Sequence, residues 1–172
     1  MNALELQLAF NATQQQRYTL MIPNTHFNQG YEMDIMCVRN GSLMVEEIEI
    51  KTSRSDFLAD FRKTVGRFRM KHEELQRGNL IANYFCFLVP ALLLAKIEDD
   101  IPEYAGIYTG YRLNEPRNKH VDFAGYIRRV RNPKRLHKNK PTEKLLYKKT
   151  RGMTFRYWTL LHERQKHLQT KS

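Results

Sequence analysis

Apolar and polar residues change places along this chain with two different periods, and the changes mark out its elements. Residues 2–15 (NALELQLAFNATQQ) read as a helix, although Leu4, Leu6, Leu8 and Phe10 alternate and would also suit a strand. Arg17 to Pro23 is short and β-rich. Tyr31 to Val38 and Leu43 to Lys51 then predict two strands joined across Asn40-Gly41, both of which tolerate positive φ; this is a hairpin signal. Ser53 to Arg77 reads as one long helix or a bent pair. Ser53 and Asp56 stand at capping spacing, Phe57, Phe61, Val65, Phe68 and Leu75 share a face, Gly66 offers a kink and Gly78 a stop. Tyr84 to Val89 is a continuous apolar run suited to a strand buried on both faces, Pro90 opens a short helix, and Ile107 to Leu113 is another strand. Arg128 to Arg151 is basic and proline-punctuated, and Thr154 to Leu168 predicts a closing helix. This order predicts an α/β fold, a mixed β-sheet core flanked by helices, with a basic C-terminal extension ending in a helix. The division is expected near residue 127, with 128–172 packed on the same domain.

At 172 residues the chain is long enough to bury a core without disulfides or a structural metal. Cys37 and Cys86 lie in apolar stretches without metal-binding spacing, so both are expected to be reduced core residues. No basic stretch leads into an apolar run at the N-terminus, and the longest apolar segment is interrupted by Asn83 and Pro90, which predicts a cytoplasmic protein with no membrane partner.

Charge changes the picture more. Residues 1–116 hold 12 Lys+Arg against 15 Asp+Glu, whereas residues 117–172 hold 17 against 3, a segment charge of +14. Such asymmetry is expected where one part of a protein meets a polyanion, with nucleic acid the natural partner; solubility or contact with anionic lipid is the blander alternative. Arg54, Lys71, Arg128, Arg129, Arg131, Lys134, Arg135, Lys138, Lys140, Lys148, Lys149 and Arg151 are the candidate phosphate contacts. Tyr147, Tyr157 and Trp158 are interleaved where a base could stack, or serve to pack the last helix. Lys71 and His72 could reach a phosphate or could lie on a solvated helix face.

The hairpin carries the candidate chemistry. A two-residue turn would set Asp34 opposite Glu47 and Met36 opposite Val45, with Asp34, Glu47, Glu49 and Lys51 on one face and Met33, Ile35, Cys37, Met44, Ile48 and Ile50 on the other. Carboxylates close together repel unless a divalent cation sits between them, and Mg²⁺ suits that arrangement, with Mn²⁺ as a substitute. Lys51 falls on the same side, where it could hold or deprotonate an attacking water. An amphipathic strand with a solvated outer face would show the same alternation.

A carboxylate on one strand, Glu-x-Lys on the next after a tight turn, a helix before and a helix after: this stretch, GYEMDIMCVRNGSLMVEEIEIKTSRSDFLADFRK, resembles the PD-(D/E)XK nuclease superfamily. With NYFCFLVP and IPEYAGIY it is similar in particular to the bacterial MmcB-like family associated with DNA repair. The likeness covers Ala3 to Gly110, and Met33 stands where the family name has proline. The resemblance implies a restriction-endonuclease-like fold, Asp34 and Glu49 as metal ligands with the Ile50 carbonyl as a third, and Lys51 as the catalytic lysine. Glu5, on the first helix, and Ser53, in the Glu-x-Lys-x-Ser run, are further candidates it suggests; Glu47 is added by its place on the acidic face. The expected activity is Mg²⁺-dependent hydrolysis of DNA phosphodiester bonds, with RNA as an open alternative substrate and a homodimer as one way to cut both strands. A non-cleaving nucleic-acid-binding or inhibitory protein of the same fold is the rival expectation.

Overall fold

The computed structural model describes residues 1–27, 30–113 and 125–169, with side chains as far as residue 163. Helix α1 (Ala3–Gln14) begins in a capping box, in which the Asn2 side chain accepts from the Glu5 N–H and the Glu5 carboxylate accepts from the Asn2 N–H. Strands β1 (Tyr18–His26), β2 (Glu32–Arg39) and β3 (Val45–Ile50) form an antiparallel meander. After α2 (Arg54–Asp60), a two-stranded ribbon of β4 (Thr64–Val65) and β5 (Arg69–Met70), and α3 (Lys71–Gln76), the chain returns as β6 (Tyr84–Pro90). Helix α4 (Ala91–Ile97) then leads to β7 (Gly106–Arg112) and β8 (Gly125–Arg131). The sheet runs β1-β2-β3-β6-β7-β8, parallel where β6 meets β3 and β7 and antiparallel elsewhere, so the expected mixed α/β architecture is the one observed.

The parallel centre explains the sequence of β6. Phe85 to Val89 are all buried because both faces of the strand are covered, and a continuous apolar run satisfies that position. On one face Leu6, Ala9 and Phe10 of α1 pack over Ile35, Ile48, Ile50, Leu88 and Tyr108. On the other, Phe57 of α2 meets Phe87, and His72 of α3 meets Phe85 and Phe87.

The structure corrects four expectations. The β2–β3 turn holds four residues, Asn40 to Leu43, closed by Arg39 N–H to the Met44 carbonyl at 2.9 Å, with Gly41 and Leu43 at φ of 73° and 56°. Met36 therefore pairs with Glu47 and Val38 with Val45. A slip of two residues keeps every side chain on its expected face, but carried one step past the Ile35–Ile48 pair it sets Asp34 beside Glu49 rather than Glu47. Second, Ser53 to Arg77 is two short helices around a ribbon; Gly66 sits at φ 67° between β4 and β5, and Phe68 is 88% exposed instead of sharing the apolar face. Third, the start of the basic stretch is not tail but strand, since Arg128, Arg129 and Arg131 belong to β8. The division expected at residue 127 thus falls inside β8, and the first compact unit runs from Met1 to Lys140. Fourth, the closing helix α5 (Glu143–Gln169) starts well before Thr154. It lies in the second unit, Pro141–Ser172, and Tyr147, Tyr157 and Trp158 are exposed on it rather than packed. No helix among the described residues is long and apolar enough to cross a membrane.

Candidate functional site

The acidic face of β3 is not a solvated one. Glu47 is 0% exposed, Glu49 1% and Lys51 2%, with Asp60 of α2, Lys63 after it and Lys71 of α3 lying against them. Burying charges costs several kcal/mol each unless partners compensate, and here cations come from three separate segments of the chain. Glu49 Oε1 accepts from Lys51 Nζ at 2.8 Å and Lys63 Nζ at 2.5 Å; Glu49 Oε2 accepts from Lys71 Nζ at 2.7 Å. Lys71 also pairs with Glu47 at 2.8 Å, whose other oxygen accepts from the Tyr31 hydroxyl. Asp60, at the end of α2, lies 3.0 Å from Lys51 and 2.9 Å from Lys63, and its second oxygen is 2.8 Å from His72 Nε2. His72 Nδ1 stands 2.5 Å from the Tyr104 hydroxyl, which completes a line of contacts from Tyr104 to Lys51.

Asp34 differs from the rest. Its Oδ2 accepts the Ile50 N–H at 2.6 Å, yet among the described residues no ammonium or guanidinium pairs with it directly. Burial first, and the neighbouring Glu49 charge second, push its pKa up to about 6. Burial works against ionised Asp60 too, but the His72 hydrogen bond and the charges of Lys71 and Lys51 hold its carboxyl well below the usual range. Burial likewise opposes the charge on Lys71, and Glu47, Glu49 and Asp60 overcome it, so this amine stays protonated far above its ordinary pKa. Burial also raises the Glu47 carboxyl, against the pull of Lys71.

Asp34, Glu49 and Lys51 are thus brought together, with Glu47 beside them, and Ile50 enters through its N–H. Lys71 and His72 belong to the cluster, buried, rather than to a solvated helix face or a free phosphate contact. Glu5 is not part of it: Glu5 caps α1 and pairs with Arg112 at 2.6 Å. Ser53 caps α2 by accepting the Asp56 N–H, and Arg54 pairs with Asp100 at 3.1 Å. Arg129 is tied to the Tyr108 hydroxyl, Arg131 to the carbonyls of Ile101, Pro102 and Ala105, and Lys134 to Glu103. Arg128, Arg135, Lys138 and Lys140 are exposed in the first unit, as are Lys148 and Arg151 on α5, while Lys149 is half-buried. Asp60, Lys63, Tyr31 and Tyr104 were not among the expected residues. Asp60 had a signal, since Asp56 and Asp60 are one helical turn apart and share the face that meets Lys51. Lys63 and Tyr104 arrive only through tertiary packing.

Mg²⁺ binds proteins through one or two carboxylates, with water and substrate oxygens completing its shell. Asp34 and Glu49 supply that donor set, and the half-buried Asp34 carboxylate, which makes no direct ion pair among the described residues, fits a divalent cation. Among the described residues no group of three or more His, Cys, Asp or Glu side chains is arranged to hold one. Three ammonium groups already hold Glu49, and of these Lys63 is half-exposed whereas Lys51 and Lys71 are buried.

The fold and cluster together define a mixed α/β protein with a buried carboxylate–lysine centre at the C-terminal end of β3. No family model matches the chain, and no curated protein does. Among solved structures it is similar to the SPO1766 protein of unknown function from Silicibacter pomeroyi, at 15% identity over 98% of this chain and 92% of that one, with a TM-score of 0.54. That likeness concerns the fold alone.

Proposed function

We propose that the protein is a Mg²⁺-dependent nuclease hydrolysing DNA phosphodiester bonds, with Asp34 and Glu49 as metal ligands and Lys51 as the lysine that handles the attacking water. The observation that carries this reading is an expensive one for the fold: buried Glu49 and Lys51 in contact, with Asp34 beside them making no direct ion pair among the described residues. Replacing such a cluster by apolar side chains would usually cost nothing or stabilise a protein, so its presence is better explained by chemistry than by stability. A bound Mg²⁺ would supply Lewis-acid activation of water and phosphate. Lys51, held between Glu49 and Asp60, keeps its ammonium at a fixed point and offers positive charge to an oxyanion developing on phosphorus. Asp60, in turn held by His72, positions Lys51. Exposed Arg128, Arg135, Lys138 and Lys140 would hold a nucleic-acid backbone without reading its sequence.

One observation favours the rival reading of a non-cleaving nucleic-acid-binding protein, namely that both Glu49 oxygens are already taken by lysines. Incubation with supercoiled plasmid and with single-stranded DNA, in Mg²⁺, Mn²⁺ or EDTA, separates the two. Metal-dependent cutting that disappears in a folded Lys51→Ala protein supports the nuclease. Equal DNA binding by both proteins, with no product in any metal, rejects it in favour of the rival.

A further inference from the structure

A second polar site lies on the α1 face of the sheet, at the other end of β2 from the acidic cluster. Asp34 and Arg39 are five residues apart on that strand, about 17 Å at the usual rise, and their side chains lie on opposite faces. Every sheet strand contributes to its floor. Fully buried Glu46 of β3 accepts from Arg39 Nε of β2 at 2.7 Å, from Cys86 Sγ of β6 at 3.1 Å and from the Tyr108 hydroxyl of β7 at 3.3 Å. Arg129 of β8 donates to Tyr108 at 2.9 Å and comes within 3.8 Å of Glu46, and Tyr18 of β1 meets Tyr108 at 3.0 Å.

Above this floor is a cavity of about 370 Å³ lined by Arg17, Tyr18, Arg39, Asn40, Ser42 and Arg129. One carboxylate cannot neutralise three guanidinium groups. Arg39 and Arg129 share Glu46, while the Arg17 side chain has no partner among the described residues, so the cavity keeps a positive excess. Arg39 is also braced, its guanidinium 3.4 Å from the centre of the Tyr84 ring, so its fork is oriented before a ligand arrives. The Asn40 amide is engaged by the Gln16 carbonyl and the Thr19 hydroxyl, so the planar guanidinium forks and the Ser42 hydroxyl are what match the oxygens of a phosphate group, and the volume is that of a small-ligand site. We propose that this cavity binds phosphate, borne either on a mononucleotide or strand end or within a nucleic-acid backbone. The site is independent of the proposed cleavage centre.

The test uses the full-length protein with inorganic phosphate, dAMP, and one oligonucleotide with and without a 5′-phosphate, measured by calorimetry in EDTA. Arg17→Ala removes the exposed cation without disturbing the Glu46 pairs, and Lys96→Ala on α4 is the charge-matched control. Losing one charge-assisted contact should weaken binding by about tenfold or more, in Arg17→Ala and not in Lys96→Ala. Binding of dAMP and only the 5′-phosphorylated oligonucleotide assigns a terminal phosphate; Arg17-dependent binding of both oligonucleotides assigns the backbone. Absence of binding by every probe at millimolar concentration, or equal affinities for the two variants, overturns the proposal.

Discussion

Replacing Asp34 by asparagine neutralises a carboxylate of the cluster that has no ammonium against it among the described residues, while an amide oxygen remains to accept the Ile50 N–H. In the folded protein this carboxyl ionises at about 6, against an ordinary 3.8. Its folded pKa is raised, so the stability tied to the protonated form is complete below about 3.8, declines as pH rises through 6, and is absent above that. A gap of about two pH units corresponds to about 3 kcal/mol at 1.36 kcal/mol per unit, and partial exposure reduces this to about 2. Asp34→Asn is therefore expected to be more stable than the natural protein above pH 7 in EDTA, by about 4 to 8 °C in Tm for a domain of this size. The difference should shrink steadily toward pH 4.5. Mg²⁺ should close the gap from the other side, by raising the Tm of the natural protein and leaving the variant unmoved. Thermal unfolding followed by circular dichroism across pH 4.5 to 8, with and without Mg²⁺, measures both effects. An Asp34→Asn protein no more stable at high pH, or a difference that does not change with pH, would refute the electrostatic account. A metal response identical in the two proteins would refute Asp34 as a ligand.

Lys71→Met leaves Glu47 and Glu49 short of their shared cation, and chemical denaturation should report a loss of about 3 to 5 kcal/mol. Removing exposed Lys134, paired with Glu103 at the surface, should cost no more than about 1 kcal/mol by the same measurement. Gly106→Ala would put a methyl group 2.6 Å from Cys86 Sγ and 2.7 Å from Pro133 Cδ, and a loss of about 1 to 3 kcal/mol in the same assay is expected.

Much of the fold was legible because its signals are local. The apolar run of β6, the Pro90 boundary and the Gly78 stop each depend on residues within a turn or two of one another. So did the face shared by Asp34, Glu47, Glu49 and Lys51, since alternation along a strand survives a two-residue change of register. The turn length itself did not show, because Asn40-Gly41 suits a two-residue and a four-residue loop alike, and the choice rests on Leu43 accepting positive φ so that Val38 can face Val45. Strand β8 was hidden in a basic stretch, because its arginines satisfy themselves against Tyr108, Glu46 and backbone carbonyls that lie far away in the chain.

The sequence by itself determined which chemistry is present: an acid-lysine strand, an adjoining aspartate and a strongly basic C-terminal third. Only the tertiary structure decided that the acidic strand is covered instead of solvated, and that Lys63 and Lys71 share Glu49 with Lys51. Only it could draw Arg17, Arg39 and Arg129 around one cavity. The reason is physical. Alternation along a strand fixes the direction of a side chain, whereas burial and ion pairing depend on which distant segment packs against it, and here that was settled by the helices and ribbon between β3 and β6 and by the strands at the two edges of the sheet.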